Sequence, residues 1–434
     1  MPKEMKMNIK RINCNFELEP LLSPFGFKGG YLTGLWQSIV KFEDSNDNVG
    51  LGLATQSTLW SDAKIFSEYP EATGNSMMFA ITSYAATIAK KVNWTSPIEL
   101  LEHILPSVYE YAKKVTDNPN LRLTFALNAL VAVDNAAWML YAKNMKTKQF
   151  DNLLSAEIKP ALSFRETKLA NIPLMSYNVP LEKIIEAVKS GYFLLKIKIG
   201  ADPDKDGSQG KMLEWDKQRI KDIHEAVRDF ETPYTENGFI PYYLDANGRY
   251  ESKEILLELI EFAESIGAKE RIIIIEEPFP EEYKVDVSDI PVRLAADESA
   301  HSDRDAIERM QMGYKAIALK PIAKTMSMSL KIAKLAYDNN VPCFCADLTV
   351  NPILVDWNKT VAARLGRFPG LKIGLLESNG HQNYKNWEQM KTYHPSYPAG
   401  WIEPVDGIFH LNDEFFETSG GIFDISKHYL NLAK

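Results

Sequence analysis

The chain of 434 residues can bury a large core and is somewhat long for one domain, so a large α/β unit with a second domain is the default. Its 45% hydrophobic and 25% charged residues are ordinary globular values. The 49 Lys and Arg against 58 Asp and Glu give a net charge of −9, which argues against nucleic acid or an anionic membrane as the main partner. A small anionic substrate in a local cationic pocket is compatible with this charge.

The cysteines and the N-terminus indicate a cytoplasmic protein. Cys14, Cys343 and Cys345 are too few for a disulfide framework, and the Cys-x-Cys pair lacks zinc-finger spacing. The first twenty residues carry charge without an apolar core, so no secretory signal is predicted. No apolar run is expected to approach the ~20 residues of a membrane span.

The first third of the chain is predicted to contain β-hairpins followed by helices. Residues 16–54 combine turn residues with alternating runs such as "LWQSIVKF". The segment "LRLTFALNALVAVDNAAWMLYAKNM" then repeats apolar residues at helical spacing. Asp134 falls on that apolar stripe, and a buried carboxylate bonded to a neighbouring loop is a better interpretation than catalysis.

After about Leu169 short apolar strands alternate with amphipathic helices. The eight predicted strands are "IPLMSYNV", "FLLKIKIG", "PYYLDANG", "RIIIIEEP", "VRLAADES", "AIALKPIA", "VPCFCADL" and "LKIGLLES". This alternation predicts a parallel barrel, with a doubly wound open sheet as the alternative. The glycine-rich phosphate loops are absent. Residues 201–210 and 231–239 are predicted surface excursions, and the segment from Gly380 onward is expected to pack back on the N-terminal region.

Five consecutive predicted strands end in a charged residue. They are Lys198, Asp245, Glu276, Asp297 and Lys320. Because the carboxyl ends of barrel strands converge on one mouth, three carboxylates should meet there between two lysines. Clustered carboxylates repel one another unless a cation binds them, and all-oxygen ligands suit Mg²⁺ or Mn²⁺. The same cation and carboxylates would compensate Lys196, which shares a strand face with Lys198.

These ordered motifs resemble the enolase superfamily and, within it, the muconate lactonizing enzyme subgroup of the mandelate racemase family. The opening "SPFGFKGGYLTGLWQSIVKF" resembles the capping domain of that family, and "KIK", "LDANGRY", "IEEP", "ADES" and "ALKP" resemble its successive strand ends. The resemblance implies a modified TIM barrel of the (β/α)7β type over residues 169–379. It also implies an α+β capping domain formed by residues 1–168 and completed by residues 380–434.

The resemblance also implies roles for individual residues. Asp245, Glu276 and Asp297 would be the metal ligands, while Lys198 and Lys320 would be the acid/base pair. Lys196 would be an electrostatic neighbour. The residues expected to surround the ligands are Asn247, Glu277 and Glu298. Gly29 and Gly30 would belong to a mobile capping loop.

This arrangement suits removal of a proton next to a carboxylate. The enediolate that forms carries two negative oxygens, which a divalent ion stabilises. A lysine acts as base near neutral pH only if its pKa falls, and Lys196 and the cation would both act in that direction on Lys198. Lysines on strands 2 and 6 lie across the barrel from each other. Access to both faces permits racemisation or epimerisation, and use of one face permits syn elimination or cycloisomerisation.

The predicted function is therefore a Mg²⁺-dependent racemase, epimerase or cycloisomerase acting on a small carboxylate, in a chain compatible with a homo-oligomer. One alternative is a lyase of the o-succinylbenzoate synthase type, suggested by "ALKP". Another is a catalytically silent barrel that binds a ligand. The last strand, "LKIGLLESNG", lacks the Asp-x-Asp pair with which dipeptide epimerases hold an α-ammonium, which argues against a dipeptide substrate.

Three further residues follow strand ends without fitting these motifs. His301 and His381 lie in polar loops, where a histidine is more often merely polar than functional. Asp347 follows the seventh strand and is either a substrate contact or a structural carboxylate.

Overall fold

The computed structural model describes residues 6–27 and 30–434. The expected capping loop at Gly29 lies outside the described residues, and Gly30 is the first residue of a strand.

In its described residues, the N-terminal region contains a three-stranded antiparallel sheet and five α-helices. The strands are β1 (Arg11–Phe27), β2 (Gly30–Glu43) and β3 (Val49–Thr55), in the order β1-β2-β3. The helices are α1 (Thr58–Ser61), α2 (Ala63–Glu68), α3 (Glu71–Ala89), α4 (Pro97–Val115) and α5 (Leu123–Asn144). Helix α5 lies directly on β3, because a Cβ at Gly52 would be 1.9 Å from the main-chain oxygen of Ala132.

Helix α5 is long and strongly apolar. It is long and apolar enough to cross a membrane by length and composition, but 94% of its most apolar stretch is buried inside the protein. Asp134 of α5 is also buried, and it accepts hydrogen bonds from the main-chain nitrogen (3.0 Å) and the hydroxyl (2.5 Å) of Ser327. The helix therefore belongs to the core, and Asp134 has the structural role predicted from the sequence.

Eight parallel strand positions form the barrel, which confirms the predicted fold class. The strands are β4 (Lys168–Ile172), β5 (Leu174–Met175), β6 (Leu195–Lys198), β7 (Tyr242–Asp245), β8 (Ile272–Glu276), β9 (Leu294–Ala296), β10 (Ala316–Leu319), β11 (Cys343–Cys345) and β12 (Gly374–Glu377). Strands β4 and β5 are separated only by Pro173. Since β4 pairs with β12 and β5 pairs with β6, together they close the ring.

Helices connect most of these strands on the outside of the barrel. They are α6 (Leu181–Lys189), α7 (Gln209–Val227), α8 (Lys253–Ser265), α9 (Asp303–Gln311), α10 (Met326–Asp338) and α11 (Pro352–Ala362). Several begin at a residue whose side chain accepts a hydrogen bond from the first turn, as Ser302 does in a capping box with Asp305. The connection between β8 and β9 contains no α-helix.

The C-terminal residues return to both halves of the molecule. They form α12 (Gly380–Asn383), α13 (Trp387–Thr392), β13 (Ile408–His410), α14 (Asp413–Thr418) and α15 (Lys427–Leu432). Strand β13 pairs antiparallel with β4 of the barrel, while the Asn15 side chain donates to the main-chain oxygen of Leu432 at 2.7 Å. Four short 3₁₀ turns occupy Phe150–Asn152, Lys159–Leu162, Lys269–Arg271 and Ser419–Gly421. The division into domains at residues 168 and 379 stays a prediction.

The polar excursion 201–210 lies at the outer rim of the barrel mouth, and the excursion 231–239 lies away from the mouth. In 201–210 the carboxylates of Asp204 and Asp206 lie 2.6 and 2.7 Å from the ammonium of Lys211. Residues 231–239 help to line a separate cavity of about 160 Å³ near the amino ends of β7 and β8.

Candidate active site

The carboxyl ends of the barrel strands surround a cavity of about 220 Å³. Of the predicted site residues, Lys196, Lys198, Asp245, Asn247, Asp297, Glu298 and Lys320 line it. Glu276 and Glu277 are buried beside it, with 0% and 3% of their surface exposed. The structure thus brings the predicted residues together at one end of the barrel.

Lys196 is held by three carboxylates. Its ammonium lies 2.7 Å from Glu276, 3.1 Å from Asp245 and 3.1 Å from Glu377. Burial alone would lower the pKa of Lys196, but these carboxylates raise it well above its usual value. Lys196 is therefore a fixed buried cation. The three carboxylates compensate its charge, as predicted from the sequence.

Lys198 and Lys320 each contact a predicted metal ligand. The ammonium of Lys198 lies 2.5 Å from Oδ2 of Asp245 and also donates to Oδ1 of Asn247. The ammonium of Lys320 donates to Oδ2 of Asp297. Burial opposes the charge of Lys320, but Asp297, Glu298 and Glu276 raise its pKa above the usual value. A cation bound to these carboxylates would offset that effect.

A group of three carboxylates could hold a metal ion. Ligand atoms of Glu276, Asp297 and Glu298 all lie within 4.8 Å of one another. Among the described residues, Oε1 of Glu276 and Oε2 of Glu298 are buried without a hydrogen-bond partner. Unpaired buried oxygens are costly, so this donor set fits a hard divalent cation such as Mg²⁺. Asp245 is not in this group, and its Oδ2 lies 3.1 Å from the ammonium of Lys196 and 2.5 Å from that of Lys198.

The electrostatics of the cluster are strongly asymmetric. Burial and the charge of Asp245 raise the pKa of Glu276 well above its usual value. Burial, together with Asp297, raises the pKa of Glu298 to about 7. The pKa of Asp297 is lowered although burial opposes this, because Lys320 and Lys324 lie beside it. Burial thus disfavours the charged forms of Glu276 and Glu298 in particular, and a cation bound to them would offset that cost.

Asn247 and Glu277 contact the central residues, as expected for groups that surround the ligands. The amide of Asn247 donates to Oε1 of Glu298 at 3.2 Å. Oε2 of Glu277 accepts from the main-chain nitrogens of Asp297 (2.7 Å) and Ser299 (3.2 Å). Glu277 thus holds the end of β9 in place and does not itself line the cavity.

Three residues at the site were missed by sequence reasoning. Lys324 is completely buried, and its ammonium lies 2.5 Å from the main-chain oxygen of Asp297. Glu377 ends β12 and pairs with Lys196. Trp60 lines the cavity from α1. Glu377 follows the apolar run "IGLL" and was recognisable by the same criterion as Glu276, whereas the other two lie outside strands.

The two histidines do not line the cavity. His301 contacts Glu281, whose other oxygen lies 2.5 Å from the guanidinium of Arg122. His381 packs against the ring of Tyr192, and burial lowers its pKa. Both therefore have the polar or structural roles that were expected to be more common. Asp347 does line the cavity.

The cavity has one apolar and one polar wall. Leucines from the N-terminal region and Trp60 form the apolar wall: Leu21, Leu32, Leu35 and Leu59. The ends of β11 and β12 form the polar wall, which contains Asp347, Thr349, Asn379 and Asn383.

Comparison with solved structures identifies the fold. A protein from Enterococcus faecalis described as an unknown member of the enolase superfamily matches with a TM-score of 0.63 and 18% identity, over 99% of this chain and 97% of that chain. This chain has the fold of the enolase superfamily. The resemblance inferred from the strand-end motifs is confirmed at the level of the fold.

Two further relatives are named epimerases. A dipeptide epimerase from Enterococcus faecalis, solved with Mg and the dipeptide L-Leu-L-Tyr, matches with a TM-score of 0.60 and 18% identity, over 94% of this chain and 98% of that chain. In sequence, the L-Ala-D/L-Glu epimerase of Clostridium acetobutylicum is 28% identical over 226 residues, which is 50% of this chain and 54% of the relative. The sequence match thus spans about half of either chain. No protein-family model matches the chain.

Proposed function

We propose that this protein is a Mg²⁺-dependent racemase or epimerase that inverts the carbon next to the carboxylate of a small substrate. One observation carries the proposal. Lys198 at the end of β6 and Lys320 just after β10 flank the same carboxylate cluster from the second and sixth of eight barrel positions. These positions lie opposite each other, so the two amines can address opposite faces of a substrate between them.

The chemistry needs one lysine in each protonation state. The neutral amine of one lysine takes the α-proton, so the C–H bond breaks and its electron pair moves into the carboxylate to give an enediolate. The ammonium of the other lysine then delivers a proton to the opposite face of the same carbon. The first lysine ends as an ammonium and the second as an amine, so that charge and protons balance.

Glu276, Asp297 and Asp245 or Glu298 would hold Mg²⁺, with Mn²⁺ as a substitute, and the ion would supply positive charge to the enediolate oxygens. The other residues of the site act without it. Lys196 fixes Asp245, Glu276 and Glu377 relative to one another. Lys324 and Glu277 fix the main chain at Asp297.

We also propose a substrate class, a division into domains and a cellular location. The substrate is a small carboxylic acid, and the relatives named as epimerases support that class. The capping domain comprises residues 1–168 and 380–434 and covers the barrel of residues 169–379. Cys14, Cys343 and Cys345 are free, which suits the proposed cytoplasmic location.

Solvent deuterium exchange tests this function. Pools of carboxylic acids, N-acylamino acids, free amino acids and acid sugars are incubated with protein and Mg²⁺ in D₂O and read by mass spectrometry. We expect at least one acid to gain one deuterium. The double variant Lys198→Ala/Lys320→Ala should lose exchange by at least about 100-fold. Lys334→Ala, on the outer face of α10, is the matched control and should keep it. Loss of water from a compound, without exchange, would indicate a lyase and contradict the proposal.

A further inference from the structure

The polar wall of the cavity contains a carboxylate with no cationic partner. Asp347 lies two residues after β11 and is 6% exposed. Its Oδ2 accepts from the main-chain nitrogen of Asn379 at 2.7 Å. Its Oδ1 is buried and makes no well-aligned hydrogen bond in the described part of the chain, although the main-chain nitrogens of Leu348 and Val350 also stabilise the carboxylate. A buried acceptor without a partner is costly unless a ligand supplies the donor.

The neighbouring carboxylate, that of Glu377, does have a cationic partner. Oε2 of Glu377 lies 3.1 Å from the ammonium of Lys196 and accepts from the main-chain nitrogen of Asp347, also at 3.1 Å. Two acids from adjacent strands therefore meet here, and Lys196 serves only one of them. Among residues 6–27 and 30–434, no lysine, arginine or histidine forms an ion pair with Asp347.

The backbone beside Asp347 is held in a costly conformation. Thr349 has a φ of +55°, which a β-branched residue rarely adopts. Its hydroxyl donates to Oδ1 of Asn379 at 2.8 Å, and Tyr384 donates to its main-chain oxygen at 2.7 Å. Strain that surrounding bonds maintain inside a cavity is a feature of ligand sites.

We infer that Asp347 binds an ammonium group of the substrate, so that the substrate is a zwitterion whose carboxylate lies at the lysine end of the cavity. This inference rests on the proposed function. An ammonium offers three donors and a positive charge, which match an unpaired carboxylate oxygen. Burial and the charge of Glu377 raise the pKa of Asp347 to about 6, and a bound cation would reverse that effect.

The last strand lacks an Asp-x-Asp pair, but two acids from neighbouring strands meet at this wall. Asp347 follows β11 and Glu377 ends β12. The cavity of about 220 Å³ suits a small ligand such as an amino-acid derivative. Its apolar substituent would face the wall formed by Leu21, Leu32, Leu35, Leu59 and Trp60.

Matched acids test the inference on the unmodified protein. Each amino acid or dipeptide is compared with its N-acetyl form and its des-amino form, with Mg²⁺ present throughout. The readouts are the rise in melting temperature on addition of the acid and the rate of deuterium exchange. We expect at least one free amine to bind and exchange at least about tenfold better than its two partners.

Two substitutions test whether the preference for a free amine depends on Asp347. Asp347→Asn should remove the preference for the free amine and leave Mg²⁺ binding unchanged. Asp413→Asn removes the same charge from a side chain that is 90% exposed, and it should keep the preference. If N-acetylated or des-amino acids exchange best and Asp347→Asn alters nothing, the inference is wrong and the proposed function stands. If no acid of any series exchanges although Mg²⁺ binds, both are wrong.

Discussion

The ammonium nitrogen of Lys320 lies 4.7 Å from the centroid of the indole ring of Trp60. The ring belongs to α1 of the N-terminal region and the lysine follows β10 of the barrel, so the contact joins the two parts of the molecule at the cavity. The segment that carries Trp60 is held on α5, because the main-chain nitrogen of Ser57 donates to Asn128 at 2.9 Å and Thr124 donates to the main-chain oxygen of Ser61 at 2.7 Å. The ring therefore covers Lys320 from a segment whose main chain is held on α5.

Removing that cover should expose Lys320. Trp60→Leu loses a cation–π contact worth about 0.5–2 kcal/mol and opens the cavity to water. We expect acetic anhydride to modify Lys320 several-fold faster in this variant, measured by mass spectrometry of the peptide that contains it. Trp60→Phe keeps an aromatic ring and is the control. Equal modification rates in Trp60→Leu and the unmodified protein would show that the indole does not shield Lys320.

The carboxylate cluster should bind Mg²⁺ and be stabilised by it. Because the ion binds only the folded site, concentrations near 100 times its Kd should add about 2.7 kcal/mol to the free energy of unfolding. Glu276→Gln removes an oxygen charge from the cluster, so titration calorimetry should show Mg²⁺ affinity reduced by at least tenfold, or about 1.4 kcal/mol. Glu264→Gln, whose side chain is 63% exposed, should bind Mg²⁺ normally. Retained affinity in Glu276→Gln would contradict the assignment of this ligand.

The free energy of unfolding should vary with pH because the carboxylate of Asp216 titrates in the folded protein. Asp216 anchors the loop after Lys198. Its carboxylate accepts from the main-chain nitrogen of Gly200 (2.8 and 2.9 Å) and from the hydroxyl of Tyr250 (2.6 Å). Burial raises its pKa from 3.8 to about 6, although these hydrogen bonds oppose the rise. Because the pKa of Asp216 is higher in the folded state than in the unfolded state, its contribution to the free energy of unfolding is complete below pH 3.8. The contribution is lost as the pH rises through 6.

That contribution amounts to about 3 kcal/mol, since each pKa unit corresponds to about 1.36 kcal/mol. In urea unfolding at several pH values, the advantage of the unmodified protein over Asp216→Asn should therefore be largest near pH 4 and smaller by about 3 kcal/mol at pH 7. Tyr250→Phe keeps the titrating group and removes a hydrogen bond that opposes the rise in pKa, so it should keep the pH dependence and enlarge it. A difference that does not vary with pH would show that Asp216 titrates normally in the folded protein.

The sequence was sufficient to predict the barrel and which charged residues meet at its carboxyl end. Seven of the eight predicted barrel strands match β6 to β12, because each is a short apolar run between turns and the parallel order follows from the alternation with helices. The charged strand ends converge for the same reason. The first was placed too late, at residues 172–179, and overlaps only β5 and the end of β4. Strand β13 was not predicted, since three residues in a proline- and aromatic-rich segment carry no periodic signal and its pairing with β4 depends on tertiary structure.

The residues that sequence reasoning missed lie where periodicity gives no information. Lys324 reaches Asp297 from a loop, four residues beyond Lys320, and nothing in "KPIAKT" shows which lysine points inward. Trp60 approaches from a different region of the chain, 260 residues before the lysine that it covers. The lone carboxylate of Asp347 could be located from its strand, but its missing partner became evident only when the positions of all neighbouring side chains were known.

The most direct test of the lysine pair is deuterium exchange measured separately for each enantiomer of an exchanging acid. If Lys198 and Lys320 serve opposite faces, Lys198→Ala should abolish exchange of one enantiomer and preserve that of the other, and Lys320→Ala should show the reverse preference. Chiral chromatography with mass spectrometry gives both rates in one experiment. If both single variants lose exchange of the same enantiomer and keep that of the other, the two lysines act on one face, and the proposed inversion mechanism is wrong.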